Sequence, residues 1–406
     1  MLKNISADEA CDMLESLQTP DVCETVSLPD ALRRVAFKDF YAKIPIPPFD
    51  RSPFDGYAFR GKDTLGADAQ NPAVLEILEE IPAGYAPRHD ISPGKAAKIL
   101  TGAPIPNGAD ATVKYEHTKF TDTHVSIFHE IQPNSDVIRS GSDVMTGDLI
   151  ARKGALITAP LIASMANQGF ANVSVYKKPV ITIISTGSEL REVGQDAKLP
   201  PASIYNSNVY TLMSYLADVG AAPVNGGTVA DSPDLIANKL RDALENSDMV
   251  ITTGGASVGD YDFALKSAQM LGARVLFWKV LLKPGGSMMA AVSGEKIILS
   301  LSGSPGAAVV GLLRIAMPYI KKLCGRVDRR FDEIKIRLGD PFMKLSHGKQ
   351  RILLGRLMIT ESEIYFESVG QGSEKISAFA RCDLLGELPL SAKPLPAGTM
   401  IKAYRI

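Results

Sequence analysis

The chain has 406 residues, of which 45% are apolar and 22% are charged, a composition that excludes disorder, collagen-like repeats and a disulfide scaffold and predicts several globular domains. Its 44 Lys and Arg balance 45 Asp and Glu, so there is no net positive field to attract nucleic acid or anionic membranes. Any bound anion must therefore be held locally. No apolar run is long enough for a bilayer, and four widely spaced cysteines predict reduced core thiols in a cytoplasmic protein.

The predicted elements change character along the chain. Ser6 and Glu9 form a capping box that predicts a short helix as the first element. Short apolar runs separated by Gly, Pro and Asp turns predict a β module at 46–136. From 179 to 325, strands alternate with helices, including one headed by Ser232 as N-cap and Pro233, which predicts a doubly wound, mainly parallel sheet. Strand-like runs beyond residue 326 predict a C-terminal β domain.

The segment 252–262 leaves a buried strand through three glycines and enters a predicted helix. Glycines at such a turn let backbone N–H groups converge on a phosphate, and the helix dipole favours negative charge there. Asp260 and Asp262 could hold Mg²⁺ against phosphate oxygens. A turn between a strand and a helix often contains glycine without binding anything, so the pattern alone leaves both interpretations open.

A second turn, 185–189, carries hydroxyls and the carboxylate of Glu189, and Asp231 follows the next strand. Ligands bind beside the carboxyl ends of strands in open α/β sheets, so these groups and the glycine turn could face one crevice. Taken singly, turn chemistry and helix capping are the simpler explanations. Lys279 and Lys283 could face an oxyanion if their segment is extended, although solvated surface lysines are the simpler alternative.

Together these segments and their order resemble the molybdopterin molybdenumtransferase (MoeA) family, which includes the gephyrin E domain. The resemblance covers essentially the whole chain. The segments that carry it are 52–58, 101–104, 141–143, 185–189, 204–208, 253–262 and 278–285. Several spaced motifs in one order are far more specific than one glycine turn.

The resemblance implies a multidomain α/β and β protein. Its domains would be a split helical and linker domain at 1–45 and 137–178, a β module at 46–136, a MogA-like molybdopterin-binding α/β domain at 179–325 and a barrel-like β domain at 326–406. The implied activity is Mg²⁺-dependent insertion of molybdate into adenylylated molybdopterin with release of AMP. The implied assembly is a homodimer with clefts between subunits, working with other cofactor-biosynthesis proteins.

Residue by residue, the resemblance and the turn chemistry predict three groups of site residues. Catalytic residues would be Asp55, Thr101, Asp143, Glu189, Lys279, Lys283 and Ser373. Residues binding nucleotide and pterin would be Thr186, Gly187, Ser188, Thr253, Gly254, Gly255, Ser257, Gly259 and Asp260. The Mg²⁺ ligands would be Glu189, Asp231 and Asp262.

The chain also departs from the family pattern. Gly286 and Ser287 stand where Lys-Pro is usual after Lys-Pro-Gly, which removes one cation from the expected molybdate pocket. Further departures are Ser302 and Ser304 for Pro and Asn, Lys349 for Arg, and Glu374 where His is common. Lys cannot reproduce the planar fork of Arg on an oxyanion. The altered oxyanion side leaves open an alternative, a protein of the same fold that binds pterin or nucleotide, or scaffolds partners, without inserting metal.

Overall fold

The computed structural model describes residues 1–195, 198–255, 263–345, 347–361, 363–369, 376–391 and 393–406. They divide into two compact units. Unit 1 contains Met1–Lys38, Lys153–Ile157 and Val173–Ile406, and unit 2 contains Asp39–Arg152 and Thr158–Asn172. The four-part domain division expected from the sequence stays a prediction.

The strands are β1 Leu2–Ile5, β2 Cys23–Ser27, β3 Phe40–Tyr41, β4 Gly56–Phe59, β5 Ala73–Ile81, β6 Lys95–Ile99, β7 Ala111–Lys114, β8 Thr118–Phe120, β9 His124–Ile127, β10 Leu149–Ala151, β11 Asn172–Tyr176, β12 Val180–Thr186, β13 Leu190–Arg191, β14 Ile204–Tyr205, β15 Ala222–Val229, β16 Met249–Thr253, β17 Arg274–Val280, β18 Leu282–Lys283, β19 Met289–Ser293, β20 Lys296–Leu301, β21 Glu333–Leu338, β22 Gln350–Ile359, β23 Ile364–Ser368, β24 Leu384–Leu388 and β25 Met400–Arg405. The helices are α1 Ala7–Glu15, α2 Ala159–Asn167, α3 Ser207–Asp218, α4 Pro233–Asn246, α5 Phe263–Met270, α6 Pro305–Gly311, α7 Met317–Leu323 and α8 Ile376–Phe379. A π-helical turn, Leu312–Ala316, joins α6 to α7.

Unit 1 is built on a seven-stranded sheet in the order β1-β17-β19-β20-β16-β12-β15. All neighbours are parallel except the pairs made by β19, which runs against β17 and β20. The central strands β12, β16 and β20 are almost entirely buried, which explains their continuous apolar runs. The parallel run places their carboxyl ends side by side.

Helices cover both faces of this sheet. One face packs on α1, α3, α6 and α7 in a core that includes Leu14, Leu212, Val309 and Ile320. The other packs on α4 and α5 through residues such as Leu240 and Ala268. The doubly wound, mainly parallel sheet predicted from the sequence is therefore confirmed.

The start of the chain differs from expectation in one respect. The capping box of α1 is present, with the Ser6 hydroxyl accepting from the Glu9 N–H and Glu9 accepting from the Ser6 N–H. A strand, however, precedes the helix, because β1 pairs in parallel with β17 at the edge of the sheet. The prediction that the helix comes first was wrong. At α4, Ser232 is the N-cap and Pro233 the first helical residue, but the serine side chain makes no capping hydrogen bond.

The C-terminal part of unit 1 closes into a barrel. Strands β22, β23, β21, β25 and β24 pair in that order, and β24 pairs back with β22. Phe366 is fully buried in its core. A Cβ on Gly355 would lie 2.2 Å from the Phe366 ring and one on Gly386 would lie 2.8 Å from it, so the two glycines make room for the ring. The barrel-like domain predicted beyond residue 326 is confirmed.

Unit 2 contains a six-stranded sheet in the order β7-β4-β6-β5-β9-β8. Its strands include the apolar runs from which the β module was predicted, and β4, β7 and β8 are additional. Tyr57 and Phe59 fill its core.

All four cysteines are free thiols, but Cys23 is exposed in β2, so the prediction of four core thiols was wrong for that residue. Within the described ranges, no helix is long and apolar enough to cross a membrane.

Candidate functional site

The glycine turn lies against the carboxyl end of β12. Gly254 has φ +89° and Gly255 has φ +64°, a left-handed geometry that favours glycine. A Cβ on Gly254 would lie 2.4 Å from the Thr186 carbonyl oxygen and 2.6 Å from its Oγ1. The turn after β16 and the turn after β12 therefore touch through positions that exclude side chains. The structure brings together Thr186, Gly187, Thr253, Gly254 and Gly255, as the sequence predicts.

Two predicted metal-binding carboxylates share this crevice. The Glu189 carboxylate folds over Gly187, where a Cβ would lie 2.7 Å from Oε2. Asp231 begins the segment after β15, and partial burial together with the negative charge of Glu189 raises the pKa of its carboxyl, while the Thr186 hydroxyl lowers it. The charge of Glu189 hinders ionisation of Asp231, and a cation bound beside both carboxylates would relieve that repulsion.

A series of hydrogen-bonded side chains connects the strand ends at the crevice to Glu192. The buried Thr253 hydroxyl donates to Ser185 Oγ at 3.3 Å, and Ser185 donates to Asn206 Oδ1 at 3.0 Å. Asn206, the N-cap of α3, donates in turn to Glu192 Oε1 at 3.1 Å. Thr228 also donates to Glu192, at 2.9 Å. The sequence placed Asn206 in a family motif but gave it no role. It did not indicate Glu192 at all, and the one feature that could have drawn attention to this residue is its position three residues after Glu189.

A second, basic cleft opens on the same unit. It encloses about 600 Å³ and its polar lining consists of lysines, serines and Asn4: Lys3, Lys279, Lys283, Lys349, Ser287, Ser302 and Ser304. We call it the lysine cleft. Among the residues that the structure describes, no Asp or Glu lines it. Lys349 arrives there because β18 and β22 pair in parallel, Leu282 opposite Gln350.

Lys279 and Lys283 lie in the consecutive short strands β17 and β18, but the backbone is not extended throughout. Lys279 has φ +65°, and after Lys283 the chain folds back so that the Val280 N–H donates to the Gly286 carbonyl at 2.9 Å. The condition on which the prediction for the two lysines depended, an extended segment, is therefore not met at Lys279. Lys279 and Lys283 nevertheless line one cleft, together with all the described departures from the family pattern.

The acidic crevice and the lysine cleft meet at the loop after β20. A Cβ on Gly303 would lie 3.3 Å from the Gly254 Cα, so this loop touches the glycine turn. Its neighbours Ser302 and Ser304 line the lysine cleft. Asn208 on α3 fixes the loop by donating to the Gly303 carbonyl at 2.9 Å. One loop thus connects the acidic crevice to the lysine cleft.

The other predicted site residues lie in unit 2. Thr101 donates to Asp55 Oδ1 from both its N–H and its hydroxyl, each at 2.7 Å, which lowers the pKa of this exposed carboxyl. Asp143 lines a separate cavity of about 470 Å³, together with Asp148 and Gln168. The structure brings Asp55 and Thr101 into contact, which the sequence did not indicate. It places Asp143 at a different feature of the unit.

Part of the predicted site lies outside the described residues. This applies to Ser257, Gly259, Asp260 and Asp262 of the glycine segment and to Ser373. Ser188 is described and exposed beside Glu189. Within the described part of the chain, no group of three or more His, Cys, Asp or Glu side chains could hold a metal ion, and the third predicted Mg²⁺ ligand, Asp262, lies outside that part.

The fold and site define a class of protein: a doubly wound α/β protein with a glycine turn, hydroxyls and carboxylates gathered at the carboxyl ends of its strands, where sheets of this type bind their ligands. Two family models agree with this. Residues 5–169 match "MoeA N-terminal region (domain I and II)", and residues 182–322 match "Probable molybdopterin binding domain".

Curated relatives and solved structures identify the family. The molybdopterin molybdenumtransferase of Bacillus subtilis is 36% identical over 321 residues, which are 78% of this chain and 74% of that protein. The one of Staphylococcus aureus strain Mu50 is 32% identical over 97% of this chain and 94% of its own. The crystal structure of a MoeA molybdopterin biosynthesis protein of Pyrococcus horikoshii superposes with a TM-score of 0.85 at 25% identity, covering 99% of both chains. The chain belongs to the molybdopterin molybdenumtransferase family.

Proposed function

We propose that the protein is the transferase that inserts molybdate into adenylylated molybdopterin with release of AMP, in a Mg²⁺-dependent reaction. This reaction needs a phosphorylated substrate and an oxyanion held close together. The observation that carries the proposal is the loop after β20, which touches the glycine turn at Gly254 and lines the lysine cleft with Ser302 and Ser304.

Each half of the site suits one part of this reaction. At the glycine turn, Gly254 and Gly255 have no side chains, so a phosphate group would meet no side chain of theirs on approaching their backbone. In the lysine cleft, ammonium groups and serine hydroxyls can replace the water around molybdate and hold it by charge and hydrogen bonds. We propose that the pyrophosphate linkage lies in the crevice and the oxyanion in the cleft.

The carboxylates of Glu189 and Asp231 fit a divalent cation. They lie close enough for one charge to raise the other's pKa, and both are oxygen donors of the kind that Mg²⁺ prefers. When bound, Mg²⁺ would supply charge neutralisation on phosphate oxygens. The buried Thr186 hydroxyl lowers the pKa of Asp231 but makes no well-formed hydrogen bond within the described residues, so it would be available to help orient that carboxylate around a cation.

We further propose that the protein works in the cytoplasm as a homodimer. The family resemblance implies clefts between subunits, and in such an assembly Asp55, Thr101 and Asp143 of unit 2 would act on the substrate. The Asp55 carboxylate, kept ionised by the two Thr101 donors, is suited to orient a water molecule or a substrate hydroxyl.

A second function is favoured by specific residues. Gly286 and Lys349 weaken the oxyanion side relative to the family pattern, which would suit a protein that binds pterin or nucleotide, or acts as a scaffold, without inserting metal. The four lysines of the cleft argue against this alternative, because they retain a strongly basic environment.

The test is a single-turnover reaction with purified protein, adenylylated molybdopterin, Mg²⁺ and molybdate. We expect AMP release together with molybdenum in the pterin product, and neither product when Mg²⁺ is chelated. Lys283→Met should lose molybdenum insertion while retaining pterin binding. Tight pterin binding without AMP release by the unmodified protein would establish the second function instead.

A further inference from the structure

The position where the family pattern has a lysine leaves no room for a side chain in the backbone conformation that this chain adopts. A Cβ on Gly286 would lie 2.4 Å from the carbonyl oxygens of both Val280 and Leu282. Real Cβ atoms do not approach backbone oxygens so closely, and the backbone cannot yield without breaking the hydrogen bond from the Val280 N–H to the Gly286 carbonyl. If the cleft has a further cation, it must come from another part of the chain.

Strand β1 brings such a cation. Its parallel register with β17 sets Lys3 opposite Trp278, and Lys3 lines the lysine cleft. The Lys3 ammonium lies 4.4 Å from the centroid of the Trp278 ring, and the Lys279 ammonium lies 4.1 Å from the same centroid. The ring face attracts both cations and fixes where they lie.

The charge of the cleft is uncompensated. Lys3, Lys279, Lys283 and Lys349 line it without an acidic side chain in the lining, and none of the four pairs with a carboxylate in the described ranges. The Lys3 and Lys279 ammonium groups both lie over the Trp278 ring, so they are neighbours. Neighbouring ammonium groups repel each other, and a dianion bound between them would attract both and offset that repulsion.

We propose that Lys3 is an oxyanion-binding residue of the lysine cleft, which supplies from β1 the positive charge that position 286 cannot carry. This inference rests on the proposed function, because the anion in question is the tetrahedral oxometalate substrate. It assigns to β1 a binding role besides its place at the sheet edge. It also predicts that a bound anion stabilises the pairing of β1 with β17, because the anion would contact Lys3 of β1 and Lys279 of β17 at once.

The test compares Lys3→Met with Lys3→Arg and with Lys119→Met. Lys119 is a suitable control because it is also an exposed strand lysine over an aromatic ring, Phe128 at 5.4 Å, but belongs to unit 2. Binding of molybdate, and of sulfate as an optically silent tetrahedral dianion, is measured by calorimetry. The fluorescence of Trp278, the single tryptophan of the chain, gives a second readout at the cleft.

Lys3→Met should weaken molybdate binding about tenfold, as expected for one lost charged hydrogen bond. It should raise the KM for molybdate more than it lowers kcat, and it should reduce the anion-induced change in Trp278 emission. Lys3→Arg should restore most of the affinity, and Lys119→Met should behave like the unmodified protein.

Two results would overturn the inference, and they differ in what else they affect. If Lys3→Met binds molybdate within twofold of the unmodified protein while Lys283→Met does not, Lys3 has no part in an otherwise valid oxyanion site. If the unmodified protein binds neither anion and Trp278 emission does not respond, the oxyanion site and the proposed function fail together.

Discussion

At the residue scale, the surroundings shift the pKa values of two aspartates in opposite directions. Asp55 accepts two hydrogen bonds from Thr101, which lower its pKa and keep it ionised. Asp231 is partly buried beside Glu189, and both conditions raise its pKa. The first arrangement suits orientation of a polar group, whereas the second suits binding of a cation.

The repulsion between Asp231 and Glu189 leads to a prediction. Asp231→Asn should raise the free energy of unfolding by about 0.5 kcal/mol at neutral pH, a small gain because the site is largely open to solvent. A raised native pKa means that ionisation favours the unfolded state, so the gain should vanish as pH falls below about 4 and Asp231 is protonated in both states.

Urea denaturation across this pH range measures the effect. Added Mg²⁺ should raise the stability of the unmodified protein but not that of Asp231→Asn, since only the former retains both anionic ligands. A variant that is less stable at neutral pH, or that responds equally to Mg²⁺, would show that Asp231 is not part of a cation site.

Sequence alone predicted which residues would lie together at the ends of neighbouring strands. Glu189, Asp231 and the glycine turn follow β12, β15 and β16, and parallel strands bring these ends together. Lys3 could not be found in this way, because its role depends on β1 pairing with a strand far along the chain. The same holds for Glu192, whose partners come from α3 and β15.

At the element scale, the turn after β16 depends on close backbone contact, which predicts the effect of adding one methyl group. Gly254→Ala should cost about 3 kcal/mol, from the positive φ and the overlap with Thr186. Gly272→Ala is the matched control: Gly272 has φ +70° but no atom within 4 Å of a built Cβ, so it should cost only about 1 kcal/mol.

Urea denaturation of the two variants separates backbone strain from crowding. Equal losses of stability would mean that the turn yields to a side chain and that its close approach to β12 is not required. The distinction matters for the site, because the same crowding keeps side chains away from the proposed phosphate position.

At the scale of the whole molecule, unit 1 joins segments that are distant in sequence. Arg314, on the π-helical turn, donates to Glu387 of the barrel at 2.7 Å and to Asp8 of α1 at 2.6 Å. The Arg314 and Glu387 side chains are only 10% and 11% exposed. Alternating strands and helices predicted the sheet, and strand-like runs predicted the C-terminal β domain, but no local pattern shows that α1 packs against this turn.

Arg314→Met should therefore destabilise unit 1 by about 3–5 kcal/mol, since it leaves the Glu387 carboxylate buried without its partner. The double variant Arg314→Met with Glu387→Met should recover much of this loss, because no uncompensated charge remains. Calorimetric unfolding measures both. Strictly additive losses would show that the pair does not act as one buried unit.

The central claim is that one loop joins a phosphate-binding crevice to an oxyanion-binding cleft within a single substrate site. A crystal structure with adenylylated molybdopterin, Mg²⁺ and molybdate, with data collected at the molybdenum edge, tests it directly. We predict a molybdenum anomalous peak among Lys3, Lys279, Lys283 and Lys349, with the nucleotide phosphates beside Gly254. Molybdenum bound elsewhere, or phosphates remote from the glycine turn, would contradict the account.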